Sequence, residues 1–248
     1  MLRKKRNKYY FLLLLICFSY SVGVFAQYPT VRERVINLPT FDQKPIHYGY
    51  FLGLNQYDFK FEYVENYYKE LGYKDVTVIP KSGFTVGLIG DLRINTYFNL
   101  RFEPGLYYSR RELQYPDISG FEKESDKIRE IKSTYIHLPL ILKISTKRIN
   151  NFRPFIMAGF STDFNLSSNS KNRDDNASNV FRTSAQNLNY ELGLGFDFYL
   201  YYFKFSPSLR GIFSFQNELV PDTDPNSPWT GIINSIFSRG IAIIITFE

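Results

Sequence analysis

The stretch YELGLGFDFYL, residues 190–200, decides the fold class because its side chains alternate in character at every step. One parity is apolar throughout, from Tyr190 to Leu200, whereas the other carries Glu191, Asp197, two glycines and a tyrosine. Successive side chains of a β-strand point to opposite faces, so this pattern predicts a strand with one apolar face and one largely polar face.

The same alternation recurs along the chain and predicts eight strands in all. Several of them run beyond the roughly 5–6 residues of a typical soluble strand, toward the ~9–11 residues that a tilted strand needs to cross a membrane. Eight is also an even number, as expected of a single-chain outer-membrane barrel. The other seven strands are centred on residues 48–54, 84–94, 100–108, 136–144, 156–164, 203–215 and 241–247.

The links between these strands fall into two classes. Three are short, at residues 96–99, 147–152 and around 201. Four are long and polar, at residues 62–81, 116–132, 167–186 and 217–237. Such sorting is typical of outer-membrane barrels, in which the short side is periplasmic. We therefore expect an all-β fold, an eight-stranded antiparallel transmembrane β-barrel with short periplasmic turns and long extracellular loops, over residues 47–248. A soluble lipocalin-like barrel is the alternative, since parity alone does not say which face is outside.

The N-terminus has the three parts of a secretory signal peptide. Basic residues precede an apolar run at residues 11–18, and Val24-Phe25-Ala26 suits a signal peptidase. We expect residues 1–26 to be cleaved between Ala26 and Gln27, which leaves residues 27–46 as a periplasmic N-terminal segment. The chain would then be exported and would end in the bacterial outer membrane.

Removing the signal peptide changes the charge argument. The whole chain carries +6, and the signal contributes five bases and no acid, so the mature chain is near +1. This balance does not favour a nucleic-acid partner. The only cysteine, Cys17, also falls in the signal, which excludes disulfides and thiolate metal sites from the mature chain.

The polar parity of the strands, taken as the inner face of the barrel, carries five acids and five bases. Eight strands leave an interior just wide enough for side chains to fill, and buried charges must be paired. We expect a packed charge network rather than a selective ion pore. Its ten members are Asp91, Arg93, Arg101, Glu103, Lys143, Asp163, Glu191, Asp197, Lys204 and Arg210.

Catalytic and metal sites have little support in the sequence. His47 is expected at the periplasmic start of the first strand and His137 near the outer end of the fourth, so the two would not share a site. A barrel enzyme using His137 and a loop serine is the enzymatic alternative. Oxygen-bearing residues alternate at Asp222, Asp224 and Asn226, as calcium ligands can. The prolines around them, Pro221, Pro225 and Pro228, indicate an ordinary turn-rich loop instead. We expect no enzyme activity, metal, cofactor or small-molecule substrate.

Several stretches resemble a known family. Residues 34–42, RVINLPTFD, and residues 44–55, KPIHYGYFLGLN, resemble the start of the PorT family. Residues 135–143, YIHLPLILK, resemble a strand of the broader family of outer-membrane barrels that contains PorT, and residues 239–248 resemble its last strand. Phe247, which ends that strand, resembles the recognition signal of the outer-membrane assembly machinery, although Glu248 follows it.

The resemblance to PorT implies a role in type IX secretion, which moves proteins across the outer membrane and supports gliding in some relatives. A barrel this narrow does not pass folded cargo, so we expect a non-catalytic accessory component. Its partners would be outer-membrane lipid and other secretion-system membrane and periplasmic proteins. Arg32, Glu33 and Arg34 are candidate periplasmic contacts, unless their segment is only a solvated tail. A structural or adhesive barrel without a secretion role is the alternative.

Overall fold

The computed structural model describes residues 35–65, 75–116, 121 and 123–248. The fold below is that of Ile36–Glu248, the second of the two units into which the chain divides. The expectations that lie outside the described residues are the signal peptide at 1–26, the cleavage site at Ala26 and Gln27, and the contacts Arg32, Glu33 and Arg34.

The described chain forms one antiparallel sheet that closes on itself, because the first strand pairs with the last. Among the described residues, three single-turn 3₁₀ helices lie at Phe41–Gln43, Glu124–Lys127 and Asn176–Ser178. Within the described ranges, none of the helices has the length and hydrophobicity needed to cross a membrane. The strands are β1 (Ile46–Tyr63), β2 (Thr77–Arg93), β3 (Phe98–Phe102), β4 (Gly105–Gln114), β5 (Ile128–Ser145), β6 (Phe152–Asn165), β7 (Gln186–Tyr199), β8 (Lys204–Ser214) and β9 (Ile233–Phe247).

Strands β3 and β4 are two parts of one barrel strand. Both pair with β2 on one side and with β5 on the other. The break falls at Glu103 and Pro104, where proline has no N–H to give to the ladder. The ring of Phe51 fills the space beside this break, since a Cβ at Gly105 would lie 2.6 Å from it. The barrel is therefore eight-stranded, as predicted, with one interruption that the alternation did not show.

The links confirm the predicted sorting into short turns and long loops. The short turns are residues 94–97, 146–151 and 200–203, and β1 begins at the same end of the barrel. The long links are residues 64–76, 115–127, 166–185 and 215–232. Three of them are shorter than expected because the strands extend further at this end, above all β1 and β5, which have 18 residues each, whereas the link at 166–185 has the expected length.

The apolar parity faces outward, which decides between the two barrel types. Leu88, Phe160 and Leu192 expose 66%, 71% and 55% of their surface, and their neighbours on the same face are similar. A continuous apolar band of this kind is costly in water and suits hydrocarbon. The alternative of a soluble lipocalin-like barrel, which would hold its apolar face inside, is wrong.

Candidate functional site

Eight charged side chains in the half of the barrel nearer the short turns form one balanced group, which we call the lower charge cluster. It has four acids and four bases, and all eight side chains are buried. The strands bring them together because each lies on the inner parity near the same end. The members are Asp91, Arg101, Glu103, Lys143, Asp197, Lys204, Arg210 and Glu248.

Arg101 on β3 connects three of the four acids of this cluster. Its Nε lies 3.0 Å from Glu103 and 3.4 Å from Asp91, which is its direct neighbour in the β2–β3 register. Its Nη2 donates to Glu248 at 3.0 Å. A guanidinium has five N–H donors, so one arginine can bind several carboxylates at once. Arg210 approaches Glu103 from the opposite wall at 2.5 Å.

Two lysines complete the lower charge cluster. Lys143 donates to both carboxylate oxygens of Asp197 at 2.8 Å, and its ammonium lies 4.0 Å from the centroid of the Phe155 ring. Lys204 lies 2.6 Å from Glu248. Each buried charge of this group thus has an opposite charge beside it, as burial requires.

His137 lies above this cluster, between two carboxylates. Its Nδ1 is 2.5 Å from Asp163 and its Nε2 is 2.9 Å from Glu191. Asn189 donates to the second oxygen of Asp163 at 2.8 Å. Both ring nitrogens face carboxylates, so neither is free to activate a serine. The enzymatic alternative with His137 and a loop serine would require such a free nitrogen.

The expected position of His137 near the outer end of its strand is wrong. The residue is fully buried and lies near the middle of β5. The expectation assumed a strand that begins near residue 135, whereas β5 begins at Ile128. His47 lies at the start of β1, at the end of the barrel with the short turns, where it stacks on Phe41 at 4.3 Å, and the two histidines are in different places.

The outer half of the barrel is closed by aromatic and aliphatic side chains. Arg111 donates to Tyr135 at 3.0 Å and lies 3.8 Å from the centroid of the Phe59 ring. Glu218 enters from the last long loop and accepts from the backbone N–H and the hydroxyl of Ser238. Burial raises the pKa of the Glu218 carboxyl. Above these residues lies an apolar group of Phe59, Val76, Leu113, Tyr115, Ile131, Ile233 and Ile236.

Residues 36–45 cover the opposite end of the barrel, and we call them the periplasmic lid. Arg148, in a short turn, donates to the backbone carbonyls of Asn37 and Leu38. The Asp42 carboxylate accepts from the Tyr199 hydroxyl at 2.7 Å. The barrel is therefore closed by the lid below, by paired charges in the middle and by apolar side chains above.

Of the ten residues predicted for the interior network, nine are buried there and one is not. Arg93 is the last residue of β2, so it lies half-exposed at the mouth, beyond the lower charge cluster. The predicted network did not include His137, Arg111 and Glu248, although all three have inward parity. It also missed Glu218, which comes from a loop where parity gives no signal.

The acidic residue Asp222 of the last long loop contacts other loop side chains. Asp222 accepts from the side chains of Asn176 and Ser227, and so ties two long loops together. Among the residues that the structure describes, no three His, Cys, Asp or Glu side chains are grouped so as to hold a metal ion.

The family model that describes the outer membrane protein β-barrel domain matches residues 25–220. The chain belongs to this family. Its strands therefore cross a bacterial outer membrane, and the apolar outer face lies against lipid. The comparison with curated proteins finds no match.

Several solved outer-membrane proteins are similar to this chain. OprG from Pseudomonas aeruginosa is 15% identical, with a TM-score of 0.40, and the match covers 82% of this chain and 92% of OprG. Neisserial surface protein A is 9% identical, with a TM-score of 0.43 and coverage of 82% and 98%. Ail, the attachment invasion locus protein of Yersinia pestis, is 10% identical, with a TM-score of 0.31 and coverage of 81% and 96%.

Proposed function

We propose that this outer-membrane barrel is a non-catalytic accessory component of type IX protein secretion, and of gliding where that occurs. The observation that carries the proposal is the place of the PorT-like sequence. The stretch RVINLPTFD ends in the periplasmic lid, which is seated on the barrel mouth. The part of the chain with the most particular resemblance thus forms the face that periplasmic proteins would meet.

The filled interior supports an accessory role rather than transport. Arg101, Arg210 and Tyr107 are among the largest fully buried side chains, and they occupy the bore that a cargo would have to cross. An eight-stranded barrel has little space beyond its own side chains. Function would then come from its surfaces, through assembly, docking or stabilisation of a larger secretion complex.

Two termini have proposed roles in this scheme. Residues 27–46 would be the periplasmic contact, with Arg32, Glu33 and Arg34 just before the lid. Phe247 would serve as the assembly signal and also as a membrane-interface aromatic, since its ring stacks on Tyr50 of the outer face at 5.1 Å.

Secretion in a strain that lacks the gene tests the proposal. Cargo in the medium is measured after complementation with the intact protein or with a variant lacking residues 28–35, which keeps the lid. We expect the intact protein to restore export, and the variant to reach the outer membrane in equal amount without restoring export. Normal export without the gene would show that the secretion role is wrong.

A structural or adhesive barrel is the second candidate, and the long loops favour it. The loops at 166–185 and 215–232 are joined by a bridge between Thr183 and Leu219 and by the contact of Asp222 with Asn176. Loops tied together in this way present a defined outer surface. This candidate predicts normal export and altered cell-surface binding in the deletion strain.

A further inference from the structure

The periplasmic mouth has an unbalanced charge. A cleft of about 110 Å³ lies between the periplasmic lid and two short turns. Of the described side chains, four cationic ones line it against a single carboxylate, so their formal charge sums to +3. The lining residues are Asp42, Arg93, Thr96, Lys147, Arg148 and Arg153.

The one acid of the cleft already has partners. Asp42 accepts from the Tyr199 hydroxyl and lies 3.5 Å from Arg153 and 3.7 Å from Arg148. Both arginines otherwise donate to neutral oxygens, namely backbone carbonyls such as that of Thr96 for Arg153 and, for Arg148, also the side-chain oxygen of Asn151. Neutral oxygens satisfy N–H donors of these arginines but add no negative charge, so the two guanidinium groups share the single Asp42 carboxylate as counter-charge.

The other two bases have no anionic partner among the described residues. Arg93 and Lys147 form no ion pair or side-chain hydrogen bond with any residue that the structure describes. The short turns at 94–97, 146–151 and 200–203 contain no Asp or Glu. The interior acids nearest this end are already paired within the lower charge cluster.

We propose that this cleft binds an acidic peptide segment of a periplasmic protein, with carboxylates placed on Arg93 and Lys147. The cleft has the volume of a few water molecules, of about 30 Å³ each, which suits a carboxylate side chain. Charge-assisted hydrogen bonds from arginine to carboxylate are among the strongest hydrogen bonds in proteins. The inference names the partner class for the periplasmic contact and rests on the proposed function for its biological role.

The position of the cleft at the end of the barrel favours a peptide over a lipid headgroup as its ligand. Arg93 has the same parity as Thr85, Ile89 and Asp91, whose side chains are buried on the inner face of β2. Arg153 is likewise buried on the inner parity of β6. The cleft therefore lies at the end of the barrel, within the ring of strands, rather than on the outer wall that contacts lipid.

Binding of labelled octaglutamate to the mature protein in an uncharged detergent tests the inference. Fluorescence anisotropy should show binding of octaglutamate, weakening with added salt, and no binding of octaglutamine. The variant R93Q/K147Q should bind octaglutamate at least tenfold more weakly. The control variant K60Q/K132Q loses the same charge from exposed positions on the outer wall toward the long loops, and should bind within twofold of the intact protein.

Two outcomes would overturn the inference. One is equal weakening in both variants, which would indicate bulk charge rather than a cleft. The other is unchanged octaglutamate binding with reduced binding of R93Q/K147Q to phosphatidylglycerol vesicles, which would make the cleft a lipid headgroup site. Since the assay uses purified protein, normal export in the deletion strain would remove the secretion role without affecting the binding result.

Discussion

Glu248 shows how much depends on the side to which a single residue points. In the sequence it looks like a departure from a terminal aromatic, yet it continues the inner parity of Ala242, Ile244 and Thr246 on β9. Its backbone exchanges two hydrogen bonds with Lys204, at 2.7 and 3.0 Å. Its carboxylate lies inside the barrel between Lys204 and Arg101.

The substitution Glu248→Gln should therefore destabilise the barrel markedly. It leaves the Lys204 ammonium buried without its main counter-charge, and breaking a buried pair costs about 3–5 kcal/mol. Equilibrium unfolding in urea from lipid vesicles would measure the loss. Glu62→Gln is the matched control, because it makes the same chemical change at an exposed pair with Lys60 and should leave the midpoint unchanged. Equal midpoints for the two variants would show that the interior pair is not a stabilising element.

Parity predicts which charges lie inside but not how deep they lie. The alternation alone placed nine of ten predicted charges in the interior. Depth depends on where a strand begins, and His137 was misplaced because the sequence does not mark the start of β5 at Ile128. Glu218 reaches the interior through a loop, and a loop has no period from which its side-chain direction could be read.

The pair β1 and β2 forms a partial seam in the barrel wall. Their pairing stops at Gln56 and Ser82, although β1 continues to Tyr63 and β2 begins at Thr77. Above this point β1 pairs with β9, and β2 pairs with β4. The edges carry Asp58, Lys60 and Pro80. Charges and proline on edge strands disfavour pairing with another chain.

Asn55 holds this seam together where β2 shifts register. Its side-chain amide donates to the backbone carbonyls of Phe84 at 3.0 Å and of Tyr108 at 3.1 Å. The shift in the β2–β4 pairing falls between Lys81 and Phe84. The side chain thus supplies hydrogen bonds that the interrupted ladder would otherwise lack.

We expect Asn55→Ala to loosen the seam without unfolding the barrel. Leaving buried carbonyls unsatisfied costs about 1–3 kcal/mol, and the loss should be local. Amide hydrogen exchange should become faster across residues 77–84, while exchange in β6 and β7 stays as it was. Asn187→Ala, the same change at a buried position of β7, should not affect residues 77–84. Uniformly faster exchange in every strand would contradict a local role for Asn55.

The strand ends above the membrane were missed because the pattern of faces inverts there. Below Gln56, the outer face of β1 is apolar. Above it, Asp58 and Lys60 point outward, whereas Tyr57 and Phe59 are buried inside. The lower part of β1 thus has its apolar side chains on the outside, as in a membrane barrel, and the upper part has them on the inside, as in a soluble barrel. Because the apolar residues move from one parity to the other midway, the alternation predicts a shorter strand than the one that forms.

Across the whole molecule, this inversion gives the barrel two kinds of interior. The membrane-embedded part has paired charges inside and lipid-facing side chains outside. The outer part has an apolar interior, like that of a soluble barrel, with ion pairs such as Lys81 with Glu112 on its surface. Paired charges fill the bore of the membrane-embedded part, and apolar side chains fill the bore of the outer part. Removing one filling would therefore leave the other in place.

That double closure predicts that the protein does not conduct ions. Planar bilayers should show no steady single-channel current for the mature protein, nor for a variant lacking residues 27–44. Removing the lid leaves Arg101, Arg210 and Tyr107 in the bore, and apolar side chains above them. A wide porin in the same bilayers would serve as the positive control. Steady current from the intact protein, altered by R210Q, would instead show a selective pore through the lower charge cluster, and the accessory role would lose its structural support.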